Sequence, residues 1–257
     1  MPEDNANKKR KSTSNPKTSY SNMTVAQAQS RLGFRFQSLK GIPVQRMLEN
    51  AEDSIEAEAF LKADDTKEEV YREITRYIRV EGYPTEAEPT FKESSITHLV
   101  FATICPIIDD FIRISGRKNL RLRSEKEILS NDGETGGEEE FVVMDLISVE
   151  EEKYVFIVEA KRSFLGKAIR QCALAMKDMR DYNGEGKVYG FVTTGESWQM
   201  LEYDGKVFRK TNSIVVLFDS MDEEKDRWMK EGAVLVDCIN FALINGGIVK
   251  KDVVVQG

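Results

Sequence analysis

Residues 141–149 and 154–158 are two apolar runs joined by the charged tetrapeptide Glu150-Glu151-Glu152-Lys153. A link this short points to an antiparallel hairpin. Runs with almost no polar alternation read as strands covered on both faces, so the chain has to build a central sheet around this hairpin. The second run, Tyr154-Val155-Phe156-Ile157-Val158, leads straight into Glu159-Ala160-Lys161. A side-chain period of two puts that carboxylate and that ammonium on one side of the strand. Taking an isolated charge out of water costs on the order of several kcal/mol, so both groups need partners or a bound cation. Asp145, the one acid inside the first run, is the expected partner.

An acid on one strand, a short hairpin, and then hydrophobic-hydrophobic-Glu-X-Lys resembles the signature of the PD-(D/E)XK nuclease superfamily. Here the pattern reads Met144-Asp145 and then Glu159-Ala160-Lys161, with Met144 in place of the family's proline. The resemblance covers residues 93–245 and leaves the first ninety or so without a counterpart. It implies an α/β, restriction endonuclease-like fold, with a mixed central sheet flanked by helices. It also implies Mg²⁺-dependent (or Mn²⁺-dependent) hydrolysis of DNA phosphodiesters. The metal would be held by Asp145, Glu159 and the Ala160 carbonyl, and Lys161 would contact the scissile phosphate and the attacking water. The family often adds an acid from its first core helix, for which Glu93 is the match, with Asp109 and Asp110 farther along. A polar residue on the helix after the motif is matched by Gln171. Two other readings stay open: a nuclease fold that binds DNA without cleaving it, and an interaction or effector-like module of the kind found in crinkler-type proteins. The bare D…ExK pattern also fits a structural ion-pair cluster.

The net charge of -7 argues mildly against a polyanionic partner. Its distribution softens that objection, because residues 113–127 and 161–181 each carry six basic side chains against two acids. Both segments flank the expected site, and Arg162, Lys167 and Arg170 are the expected phosphate contacts. A single histidine, His98, leaves little room for imidazole chemistry. Cys105, Cys172 and Cys238 are far apart and odd in number, which favours reduced thiols over disulfides or a zinc site. The glycines of residues 131–137 lack the Lys-Ser/Thr of a phosphate-binding loop. No apolar run is expected to reach the roughly 18 residues of a membrane span, and no signal-peptide core is apparent. The expected compartment is intracellular.

Residues 1–22 are polar and are expected to be a disordered basic tail. Within them Lys8-Lys9-Arg10-Lys11 matches a short nuclear-localisation signal. Residues 23–90 read as a helical extension, with Ala51, Ile55 and Phe60 among its apolar positions and a helix over 66–80; a cap, a DNA-positioning segment and a homodimer element all fit it. On the resemblance, residues 91–250 are expected to form the nuclease-like domain. Its expected order is a helix to about Ile114 bent or split at Pro106, a strand from Leu120, the hairpin, a helix over 165–182, strands over 187–194, 197–203, 206–210 and 214–218, and a helix opened by Ser220-x-x-Glu223.

Overall fold

The computed structural model describes residues 18–49, 64–84, 92–149, 151–163 and 165–247. The nuclear-localisation match at 8–11 lies outside these residues, as do Ala51, Ile55 and Phe60. In chain order the strands are β1 (Thr18–Ser19), β2 (Gly41–Ile42), β3 (Leu120–Leu129), β4 (Thr135–Leu146), β5 (Glu152–Ala160), β6 (Val188–Thr193), β7 (Ser197–Tyr203), β8 (Phe208–Thr211) and β9 (Ile214–Val215). The described α-helices are α1 (Val25–Leu32), α2 (Val44–Leu48), α3 (Asp64–Glu81), α4 (Glu93–Ser115), α5 (Leu165–Asn183), α6 (Lys225–Glu231) and α7 (Val234–Asn245).

The expected hairpin is the centre of a mixed nine-stranded sheet of order β1-β4-β5-β6-β7-β8-β2, with β3 paired to β4 and β9 to β7. β3, β4 and β5 form an antiparallel meander, whereas β5 and β6 are parallel. A parallel pair needs a long crossover, and α5 supplies it. One face of the sheet is covered by α3, α4 and α7, where Ile74, Ile104, Phe156, Phe191 and Ile239 pack together. The other is covered by α5 and the N-terminal segment, where Tyr20, Ala28, Ile157, Cys172 and Met176 pack together. Burial on both sides explains why β5 has so little polar alternation.

By length and apolar composition alone α4 could cross a bilayer, which departs from the expectation that no run would do so. Its Ile96, Leu99, Ile104, Ile107 and Phe111 are instead core residues against the sheet. The helix continues through Pro106 without being split, and ends at Gly116, whose left-handed φ of 70° suits glycine. The described end of the polar tail, residues 18–22, also departs from expectation. Thr18–Asn22 are ordered into β1 and a short 3-10 turn, and Tyr20 is fully buried. Its hydroxyl donates to Asp178 Oδ2 at 2.7 Å, and Arg31 reaches the other oxygen of Asp178 at 2.9 Å. Ser220-x-x-Glu223 makes a turn, with the Glu223 amide donating to the Ser220 carbonyl at 2.9 Å, and α6 starts only at Lys225. Trp198 and Trp228 are packing residues, each buried with its indole N–H bonded to a backbone carbonyl. No disulfide joins the three cysteines.

Candidate functional site

β4 and β5 are in register with Phe141 opposite Val158 and Asp145 opposite Lys153. Asp145 therefore sits across from a residue six positions before Glu159, about 20 Å along the strand at ~3.3 Å per residue. It is bound at its own end of the sheet by Arg117, whose Nε donates to Asp145 Oδ2 at 2.6 Å. Arg117 also donates to the carbonyl of Leu243, so the pair ties the turn after α4 to α7. The expected convergence of Asp145 with Glu159 and Lys161 does not occur.

Different acids meet the Glu-Ala-Lys motif. Beyond the Phe141–Val158 pair the ladder stops, and the Ala160 amide donates to the side chain of Glu140, at 2.9 Å, rather than to backbone. Lys161 follows β5 directly and is fixed by its amide, which donates to the Thr193 carbonyl at 2.9 Å. Its ammonium donates to Glu93 Oε1 at 2.8 Å and Glu140 Oε1 at 3.2 Å, and lies 3.0 Å from Glu159 Oε1. Glu93, matched from the resemblance as an additional acid, does reach the motif, from the first turn of α4.

Glu139 and Glu159 set the electrostatics. Both are 1% exposed, and among the described residues none of their four oxygens accepts a hydrogen bond from an amide, hydroxyl or ammonium; the two carboxyls abut, with protonated Glu139 donating to Glu159. Glu159 meets Lys161 as an ion pair off hydrogen-bond geometry. Burial pushes the Glu139 carboxyl well above the usual carboxylate range, and the neighbouring Glu159 charge pushes it further. Burial also raises Glu159, against the opposing pull of Lys161. Burial lifts Glu140 to about 7 despite its contact with Lys161. Burial alone would lower Lys161, but the Glu159, Glu93 and Glu140 carboxylates outweigh it and hold the ammonium charged. Four acids, Glu93, Glu139, Glu140 and Glu159, thus surround one base. Among the described residues no three acid, cysteine or histidine side chains form a ready-made ligand cage, and the ammonium stands amid the carboxylates.

The remaining expected residues distribute along α5. Gln171 is buried on the second turn with its Oε1 unpaired, and it lines a neighbouring cavity with Tyr20 and Glu138 rather than joining the Lys161 contacts. Lys167 is exposed, while Arg162 and Arg170 are half-buried. Sequence reasoning missed Glu139 and Glu140 as site residues. The acidic run Glu138-Glu139-Glu140 is visible, but only the register places it beside Glu159.

No protein-family model matches the chain, and no curated protein matches it.

Proposed function

We propose that this protein is a Mg²⁺-dependent (or Mn²⁺-dependent) DNA phosphodiesterase with a restriction endonuclease-like fold, in which Glu139 takes the role first given to Asp145. The observation that carries this reading is the pair of buried carboxyls, Glu139 and Glu159, that abut beside Lys161 and have no amide or hydroxyl donor among the described residues. Buried acids without donors are costly unless a cation completes them. Their hard oxygens suit Mg²⁺, with the Ala160 carbonyl as a further ligand. Such an ion supplies a more acidic bound water and charge stabilisation at phosphorus.

The chain's own residues do the rest. Lys161, kept charged by its acidic neighbours, binds the scissile phosphate and orients the attacking water. Glu140 positions Lys161 and fixes the Ala160 amide. Lys167 and Arg170 on α5, with Arg162 before it, supply positive potential toward the substrate backbone in an otherwise acidic protein.

One observation favours a second reading, a nuclease fold that binds without cleaving: the Lys161 ammonium already meets three carboxylates and serves as their counter-charge. Purified protein incubated with single-stranded DNA, double-stranded DNA and RNA over a Mg²⁺ titration separates the two. Cleavage that requires the metal and is lost in Glu139→Gln, Glu159→Gln and Lys161→Ala, but retained in Asp145→Asn, supports hydrolysis. Gel shifts without turnover support the second reading, and equal cleavage by all variants refutes both the site and its residues.

A further inference from the structure

The β3–β4 ladder runs from Leu120 opposite Asp145 to Ser124 opposite Phe141, passes over Glu125 and Glu140, and resumes with Lys126 opposite Glu139. At that break Glu125 takes a left-handed φ of 51°. A non-glycine residue is strained there and persists only where its surroundings hold it. The break also exchanges the faces of β4. Phe141 and Val143 pack on the α4 side of the sheet, so unbroken alternation would send Gly137 and Glu139 there too. Gly137 instead faces Tyr20, where a Cβ would strike the ring, and its partner Ile128 packs with Tyr20 on the α5 side. Glu139 shares that side with Glu159, which is in phase with Ile157. The break is therefore what turns Glu139 to meet Glu159.

Beyond the break, an arm of residues 126–129 and 135–139 is fastened to α5 at one carboxylate. Asp178, 1% exposed, accepts from the Tyr20 hydroxyl at 2.7 Å, from Arg31 at 2.9 Å and from the Thr135 hydroxyl at 3.4 Å. Arg31 also reaches Asp132, in the connection at the arm's tip, at 3.2 Å. Lys126 adds a contact to Glu152 at 3.2 Å. Among the described residues Tyr20 and Asp178 make no hydrogen bond to Glu139 or Glu159, so they act on that pair through the arm. We propose that Asp178 and Tyr20 are positioning residues: by fastening the bent arm they hold Glu139 against Glu159, and without them the break relaxes and the pair parts. The consequence for a bound cation rests on the phosphodiesterase reading, whereas the fastening does not.

Asp178→Asn and the milder Tyr20→Phe, which removes one hydroxyl and keeps the ring, test this in the full chain at a temperature where both variants stay folded. Amide hydrogen exchange reads the arm, and carbodiimide labelling of Glu139, located by mass spectrometry, reads the pair. Calorimetric Mg²⁺ binding and the Mg²⁺ dependence of cleavage read the consequence. Glu202→Gln, which disturbs a buried carboxylate on β7 instead, controls for lost stability. Both variants should speed exchange over 126–129 and 135–139, open Glu139 to labelling and weaken Mg²⁺ binding about tenfold. Cleavage at saturating Mg²⁺ should stay near the wild-type rate, and Glu202→Gln should change none of these. Exchange and labelling at wild-type rates in both variants overturn the proposal, as does equal labelling of Glu139 in Glu202→Gln. If wild type neither binds Mg²⁺ nor cleaves, the phosphodiesterase reading falls, while faster labelling of Glu139 in both variants still upholds the positioning.

Discussion

Glu202 on β7 and Glu139 on β4 are both withdrawn from water, at 0% and 1% exposed, on the same sheet. Their surroundings are opposite. Glu202 accepts from Arg209 at 2.6 Å, from Lys187 at 3.2 Å and from the Tyr189 hydroxyl at 3.3 Å. Glu139 accepts from nothing among the described residues, and its neighbour Glu159 shares one ammonium with Glu93 and Glu140. The first arrangement is a saturated network that joins β6, β7 and β8. The second keeps an acidic excess at the end of β5 that destabilises the unliganded fold. Buried charge with complete partners belongs to the architecture, and buried charge without them marks a place where a ligand is expected.

The sharpest contrast comes from making the same substitution in both places. On the proposed function, Glu159→Gln should reduce metal-dependent cleavage about 10³-fold while leaving the protein folded, whereas Glu202→Gln should leave cleavage per folded molecule unchanged. Equal losses at the two sites would erase the distinction. A pH titration of stability is the next largest effect. Folding raises the Glu140 pKa above its unfolded value of about 4.3, so the native state holds the proton more tightly. That stabilisation is complete below the unfolded pKa and is lost as pH rises through about 7. Metal-free protein should lose roughly 2–3 kcal/mol between about pH 4 and about pH 8 from this group, with Glu140→Gln flattening the slope in denaturant melts. Glu202→Gln should cost about 2 kcal/mol by urea unfolding, less than a fully buried pair because Arg209 and Lys187 are about a third exposed and can rehydrate. Asp145→Asn should cost about 1 kcal/mol from the weakened Arg117 pair and leave cleavage intact. A loss of cleavage in that variant would return Asp145 to the site.

Much of this fold could be read from residues. The hairpin, the crossover helix after it, the strand Ser197–Tyr203 and the C-terminal end of β5 followed from apolar runs and turn residues. Glu159 and Lys161 were legible because a strand that ends in charge is unusual. The partner acid was not, for a reason of register. Ile147 and Val149 extend the apolar run in the sequence, yet they are 50% and 105% exposed beyond the end of β4. The turn comes earlier and β5 begins at Glu152, so the pairing moves several residues and brings Glu139 and Glu140, not Asp145, to the motif. Tyr20 was hidden in a polar stretch because one aromatic carries no periodicity, although its partners Gly137 and Asp178 lie more than a hundred residues away.

The most direct measurement is the thermal unfolding of wild type and Glu139→Gln at about pH 8, where exposed carboxylates are ionised, with and without Mg²⁺. Without metal, folding at this pH makes Glu139 either take up a proton or bury its charge, and glutamine does neither, so the substitution should stabilise the fold by about 1–2 kcal/mol. Mg²⁺ should then raise the wild-type transition and leave that of the variant nearly unmoved. A variant less stable than wild type in the absence of metal, or an equal response of both proteins to Mg²⁺, would contradict the cation-seeking site at Glu139 and Glu159.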